Sequence, residues 1–250
     1  RCFMYLDRRG PFNQDTEAPS LTSSAMILFK RRVFDHQKAR VLDTVQDFID
    51  RERSGAAIDQ GLLKSVIELF IVMGVAATVR DFKKVADVER YARRPEAGDN
   101  DTYRDDFETP FLERTRQFYR RRCQEWSAED STPVYLAKAE AALEAEVARV
   151  ALYLNPGTEP KLLRVVRQEL LEVCMLQLLR KEGSGLAVML RDDKREDMAR
   201  MYRLFRRVDG LEPMASVLEH FVRSSGEAIV AARIARADGA AGGAGFPAGG

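Results

Sequence analysis

The sequence predicts an all-α protein made of long helices joined by short connections. Three observations carry that reading. Apolar residues recur at spacings of three and four along most of the chain, which is the helical period. Capping and helix-breaking residues stand between those runs at the places where helices would have to end. No run of alternating apolar and polar residues is bounded as a hairpin would be.

The elements follow in chain order. Residues 1–9 read as a helical run that opens on Arg1 and not on Met, so the chain is expected to be cut from a longer protein. Helices are expected over 20–33 and 36–53, the second stopped by Gly55 after the charged run Arg51-Glu52-Arg53. Ile58, Leu62, Leu63, Val66, Ile67, Phe70 and Met73 place a helix at 58–74. Residues 75–102 mix charge with Arg93-Arg94-Pro95 and Gly98-Asp99-Asn100 and read as a long surface loop, with a short helix near 79–92. The longest helix, 103–128, would span roughly 39 Å at 1.5 Å per residue. Asp130-Ser131-Thr132-Pro133 offers N-cap side chains and a first-turn proline for a helix at 132–154. Thr158-Glu159-Pro160 repeats the arrangement for 159–181, whose apolar residues cover more than one face, as in a helix set between neighbours. Gly183-Ser184-Gly185 and Asp209-Gly210 divide the remaining helices at 185–191, 194–208 and 211–236. Residues 238–250 hold six glycines in thirteen positions and read as a flexible Gly/Ala tail. Long antiparallel helices with short turns form a bundle or a stacked solenoid.

Composition narrows the function. The chain has 250 residues, 45% of them hydrophobic, enough to bury a core. Forty basic against 39 acidic residues leave a net charge of +1, which argues against a dedicated nucleic-acid or membrane binder. High charge of balanced sign fits helices laced with surface ion pairs. Cys2, Cys123 and Cys174 are odd in number and far apart, so neither a disulfide framework nor a metal knuckle is expected, and a reducing compartment is the simpler setting. No apolar run approaches the roughly 18 residues a membrane span needs.

The search for chemistry finds little. His36 and His220 lack partners at ligand spacing. Nucleophile-elbow, zinc-helix, phosphate-loop and dinucleotide motifs are missing. Asp105, Asp106 and Glu108 crowd together, but they open a helix, where acids suit the positive end of the dipole. Arg114, Arg116 and Arg120-Arg121-Arg122, with Phe118 and Tyr119, read as a solvated helix face over buried aromatics and not as an RNA-binding surface. No catalytic residue, metal site or cofactor is expected.

Particular residues then say more than the patterns. Tyr5-Leu6-Asp7-Arg8 resembles the segment that ends the first helical repeat of cullins. Ile49-Asp50-Arg51-Glu52-Arg53-Ser54-Gly55 with Ile58-Asp59 is similar to their I-x-x-E-R-x-G-x-x-I-D stretch. Tyr103, Asp106-Phe107-Glu108, Phe111-Leu112, Thr115 and Tyr119 follow the family's next helix, as do Tyr135-Leu136, Lys138-Ala139-Glu140, Glu146, Arg149 and Tyr153-Leu154. Leu190-Arg191-Asp192-Asp193-Lys194 with Asp197-Met198 and Met201-Tyr202-Arg203-Leu204-Phe205 is similar to the cullin of SCF-type ligases, most of all its plant-like branch. The matches fall in family order over roughly residues 3–232.

The resemblance implies a cullin-repeat helical solenoid, an armadillo-like stalk of stacked antiparallel helices. Its divisions would be the end of a first repeat at 1–9, a second repeat at 20–154 carrying the loop 75–102, an incomplete third at 159–236, and the tail from 237. It implies a non-catalytic scaffold of a cullin-RING, SCF-type ubiquitin ligase in the cytoplasm and nucleus, holding substrate and ubiquitin donor at a fixed separation in ubiquitin-dependent degradation. An adaptor of SCF or BTB type would bind at the amino-terminal end, where Tyr5 and Arg8 are the residues carried over. A RING subunit would be reached only through a carboxy-terminal domain not present in these residues. Neither nucleic acid nor membrane is an implied partner. The runner-up is a helical-rod subunit of a vesicle-tethering complex.

Overall fold

The computed structural model describes residues 21–78 and 101–242, and all of its regular elements there are helical. The expectations at 1–9 and 79–92, and with them Tyr5 and Arg8, lie outside the described residues. The described chain falls into two compact units. The first holds the residues up to Cys123 together with Glu140–Leu170, and the second holds Gln124–Ala139 with the residues from Leu171 onward.

The first unit opens with α1 (Leu21–Phe29), which runs through a π segment (Lys30–Phe34) into α2 (Asp35–Arg53) without a break. The sequence suggested two helices here. The π segment accommodates the change of face by one wider turn instead of a loop, and it sets Phe34 edge-on to Phe70, ring centres 5.1 Å apart. α2 stops where glycine was expected to stop it. Gly55 takes a positive φ of 91°, and the Gly55 and Ala56 amides close back on Glu52 O and Arg51 O, both at 2.9 Å. Asp59 then accepts from the Leu62 amide at 2.9 Å, ahead of α3 (Gln60–Thr78). α3 buries Leu63, Ile67, Phe70, Ile71 and Met73.

A helical turn at Asp101–Tyr103 and a second π segment, Arg104–Glu108, lead unbroken into α4 (Thr109–Glu129). Tyr103, Phe107 and Phe111, four residues apart, form a ladder with ring centres 5.3 and 5.6 Å apart. Phe107 also meets Phe70 at 5.4 Å. This chain of rings is the centre of the first unit's core. α5 (Thr132–Tyr153) follows, then a 3-10 turn (Pro156–Thr158) and α6 (Glu159–Arg167). The turn is capped by Asn155, which accepts from the Gly157 amide at 2.8 Å. Thr158, the residue the sequence offered as the cap of α6, makes no cap hydrogen bond. Its hydroxyl is spent on Tyr103 and Glu108.

In the second unit, Trp126 packs edge-on to Tyr135, ring centres 6.2 Å apart. Lys181 Nζ donates to the Ser127 and Asp130 carbonyls, both at 2.6 Å, neutralising the negative end of α4. Thr132, buried at the start of α5, donates through its hydroxyl to Leu178 O at 3.1 Å, while its amide donates to Ser184 Oγ at 3.1 Å.

The expected single helix at 159–181 is interrupted. α6 passes into a π segment (Gln168–Glu172), the helix breaks, and α7 (Met175–Arg180) begins. Leu162, Val166, Leu170, Leu178 and Leu179 are buried, as an apolar helix between neighbours should be, but Val173 at the break is 61% exposed. α8 (Leu186–Arg191), α9 (Arg195–Phe205) and α10 (Leu211–Gly242) complete the unit. α10 continues into the segment that composition assigned to the tail. Alanine, the best helix former, alternates there with glycine and offsets part of glycine's cost.

Gly185 is fixed by space. A Cβ there would lie 2.6 Å from Leu179 O and 2.8 Å from Lys181 O, both backbone atoms. Gly185→Ala should therefore destabilise the protein by about 1–3 kcal/mol, read as a lower denaturation midpoint at unchanged helical content.

Candidate functional site

The densest assembly of polar side chains in the first unit centres on Arg53, whose side chain is 2% exposed, and Glu146, whose side chain is fully buried. Arg53 comes from the last turn of α2, where its charge suits the helix dipole. Glu146 lies on α5 between Leu143 and Val150, on the stripe that otherwise carries core residues. Arg53 donates to Glu146 through Nε at 2.9 Å and through Nη2 at 3.3 Å. The same Nη2 donates to Thr115 Oγ1 at 2.9 Å, and Nη1 reaches Asp50 at 3.3 Å. Three rings from α4 wall the guanidinium: Phe111, Phe118 and Tyr119, all between 5.3 and 5.6 Å from it.

Glu146 collects two further donors, Tyr119 OH at 2.5 Å and Arg149 Nη1 at 2.9 Å. Arg149 bridges to Glu52 at 3.2 Å, and Glu52 also accepts from Tyr153 OH at 2.6 Å. At the rim, Arg114 donates to Asp50 at 2.7 Å and pairs with Asp47. The cluster thus ties α2, α4 and α5 together, with opposite charges alternating from end to end.

The electrostatics say what such a cluster can do. Burial alone would raise the Glu146 carboxyl, but the Arg53 charge and hydrogen bonds, then Arg149 and Tyr119, outweigh it and hold the group below the usual carboxylate range. Burial, reinforced by Glu146, pushes Tyr119 far up, and burial with the hydrogen bond to Glu52 does the same to Tyr153. Neither phenol can serve as a base, Arg53 cannot release its proton, and Glu146 already accepts from three side chains. This is a clamp between helices, not a set of groups poised for proton transfer or attack.

A pH dependence follows. The folded pKa of Glu146 lies below its unfolded value of about 4.3, so its contribution is fully present above that value and is lost as pH falls through the folded pKa. The stability gap between the native protein and Glu146→Gln should therefore be constant from neutral pH to about pH 5 and close in stronger acid. Denaturant midpoints for the two proteins at matched pH check this.

The residues singled out from sequence separate in space. Asp105 pairs with Arg104, Asp106 with Lys38 at 2.7 Å, and Glu108 is buried against Thr158 Oγ1 at 2.8 Å and Lys161 Nζ at 2.7 Å. They share no ligand position. Arg116 and Arg120 both face the buried carboxylate of Glu169, at 3.6 and 3.1 Å, while Arg122 lies over Phe118, so the basic stretch of α4 is largely answered within the unit. His36 and His220 are exposed. Among the described residues no group of three or more His, Cys, Asp or Glu side chains could hold a metal ion, and no helix is long and apolar enough to cross a membrane. A groove of about 340 Å³ between α3 and α5 is walled by Ile67, Ile71, Val150 and Leu154 with Lys64 and Glu159 at its edge. It brings together no nucleophile and base.

Cys123 and Cys174 are each buried and each disulfide-bonded, which corrects the expectation that the cysteines form no disulfide. Spacing along the chain carries no information on which helix faces meet, so it could not have shown this.

The clamp was not anticipated as a site. Glu52 and Arg53 read as part of the charged run that ends a helix before Gly55 and as part of a family-like stretch. The usable signal was Glu146, a carboxylate on an apolar stripe, since a charge is rarely buried without a partner.

With this geometry in place, comparison with known proteins is informative. The family model of the cullin alpha solenoid domain matches residues 1–240. The chain is 35% identical over 229 residues to Cullin-2 of Arabidopsis thaliana, covering 91% of this chain and 28% of that protein. It is 36% identical over 227 residues to the putative cullin-like protein 1 of the same plant, covering 90% of this chain and 28% of the relative. With Cullin-3 of Dictyostelium discoideum the identity is 34% over 230 residues, covering 91% and 27%. The chain therefore spans little more than a quarter of the length of these relatives.

Proposed function

The chain belongs to the cullin family, and from that premise we propose that it is a rigid, non-catalytic scaffold segment of a cullin-RING ubiquitin ligase. In this role it spaces a substrate-receptor adaptor from the RING end in ubiquitin-dependent protein degradation, in the cytoplasm and nucleus. The observation that carries the reading is the Arg53–Glu146 clamp. The residues by which the chain resembles cullins, Glu52, Arg53, Thr115, Tyr119, Glu146, Arg149 and Tyr153, are the ones that lock three helices together. They fix geometry and offer nothing for chemistry. A scaffold lends proximity and orientation, which is worth nothing if its helices slide.

We further propose that the adaptor is of the SCF type, with Tyr5 and Arg8 on its contact face, and that a BTB-type adaptor is the competing possibility. Nothing in the clamp or in the family match favours a vesicle-tethering rod. The test is binding by the full-length protein to purified adaptors of both classes and to a RING subunit. SCF-type adaptor and RING subunit should bind together, and Arg8→Glu should weaken the adaptor while leaving RING binding unchanged. Selective binding of a BTB-type adaptor would overturn the SCF assignment. Binding of neither adaptor nor RING subunit would overturn the scaffold itself.

A further inference from the structure

The chain is poor in lysine and rich in arginine, nine against 31. The two cations differ in chemistry. A guanidinium does not give up its proton in a protein, whereas the lysine amine is the common target of acetylation and ubiquitination. Seven of the nine lysines lie in the described residues, and Lys83 and Lys84 lie outside them.

Five of the seven amines are engaged. Lys38 Nζ meets both carboxylate oxygens of Asp106, at 2.7 and 2.8 Å. Lys138 donates to Asp130 at 2.6 Å and Lys161 to Glu108 at 2.7 Å. Lys30 pairs with Asp35 at 3.4 Å and lies over the Phe34 ring. Lys181 donates to its two backbone carbonyls. Lys64 has no such partner, but it is half-buried at the edge of the groove between α3 and α5.

Lys194 differs from all six. It stands in the turn between α8 and α9, where six consecutive residues, 191–196, are exposed. The turn has a fixed backbone: Asp193 takes a positive φ of 49°, and the Lys194 amide donates to Met189 O at 2.9 Å. Both acids beside it are taken by arginines, Asp192 by Arg191 at 3.1 Å and Asp193 by Arg195 at 3.0 Å. The Lys194 amine is left with no hydrogen bond or ion pair. Among the described residues it is the one lysine both exposed and unengaged.

We propose that Lys194 is a ubiquitin acceptor, the principal one among the described lysines; the inference rests on the ligase role proposed above. The amine first gives a proton to solvent and then attacks the carbonyl of the thioester that joins the ubiquitin C-terminus to its conjugating enzyme. An isopeptide C–N bond forms, the C–S bond breaks, and the enzyme's sulfur leaves as the thiol with the second proton. An amine held on a carboxylate must leave it before it can attack, and an exposed pair opposes that by up to about fivefold. Arginine, which fills most cationic positions of the chain, offers no competing acceptor.

The test is a reconstituted ligase containing the full-length protein, supplied with ubiquitin and charged conjugating enzyme, then digested and read by mass spectrometry for the diglycine remnant on lysine. Lys194 should carry about fivefold more remnant than the five engaged lysines, and more than Lys64. Asp130→Asn, which releases Lys138, should raise the remnant at Lys138 several-fold and leave Lys194 unchanged. Discharge of the conjugating enzyme to free lysine is followed alongside. With discharge intact, a Lys194 unmodified or modified no more than the engaged lysines would overturn the proposal while leaving the ligase role standing. So would Asp130→Asn without a gain at Lys138, since pairing would then not be what shields a lysine. Absence of discharge would remove the ligase role and this proposal with it. Acetic anhydride on the 250-residue chain tests the premise without any ligase. Lys194 should acetylate fastest of the seven, and a faster engaged lysine would overturn the proposal.

Discussion

Replacing Glu146 with glutamine should cost the fold about 3–5 kcal/mol, the usual penalty for removing one partner of a buried ion pair. Glutamine keeps the volume, so the loss is not one of packing. It lies in Arg53, 2% exposed and stripped of its two-pronged carboxylate partner with Asp50 at 3.3 Å still facing it, and in Arg149, which loses the same carboxylate. At about 2–4 °C per kcal/mol for a chain of this size, the melting midpoint should fall on the order of 10 °C. Replacing both members, Arg53→Met with Glu146→Leu, should recover much of the loss, because apolar residues of similar volume often substitute for a buried pair without penalty. A double variant as unstable as Glu146→Gln would show that the clamp acts through something other than its paired charges.

Phe107→Ala should be comparably damaging, by about 3–5 kcal/mol, for a different reason. Phe107 is fully buried and touches three rings: Phe70 at 5.4 Å, Tyr103 at 5.3 Å and Phe111 at 5.6 Å. Truncation opens a cavity where the aromatic ladder joins α3, and the surrounding helices relax only in part. Phe107→Leu should cost clearly less. Chemical denaturation of the three proteins checks the order native, leucine, alanine. The two predictions also differ in acid. The defect of Glu146→Gln fades relative to the native protein as Glu146 itself protonates, whereas that of Phe107→Ala persists.

The helices were legible because burial of one face imposes a period, and a period survives in a single sequence. The stop at Gly55 was legible because a positive φ singles out glycine. What escaped notice were events that leave no local mark. The π segment at Lys30–Phe34 joins what read as two helices, 20–33 and 36–53, into one. The break after Glu172 falls in an apolar run with no glycine or proline to announce it. Thr158 is a good cap by composition, yet Tyr103 and Glu108 claim its hydroxyl. The clamp was half visible. Its members were recognisable as a family pattern, but Arg53 and Glu146 lie 93 residues apart, and only packing brings them into contact.

The central claim is that these residues serve by holding helices rigid and not by chemistry. The most direct test is substrate ubiquitination by a reconstituted ligase containing the full-length protein with Glu146→Gln, run below the variant's melting midpoint. The account predicts slower transfer to receptor-bound substrate, with adaptor binding, RING binding and discharge of the conjugating enzyme to free lysine all unchanged. Loss of the discharge reaction, or transfer to substrate at the native rate, would contradict it.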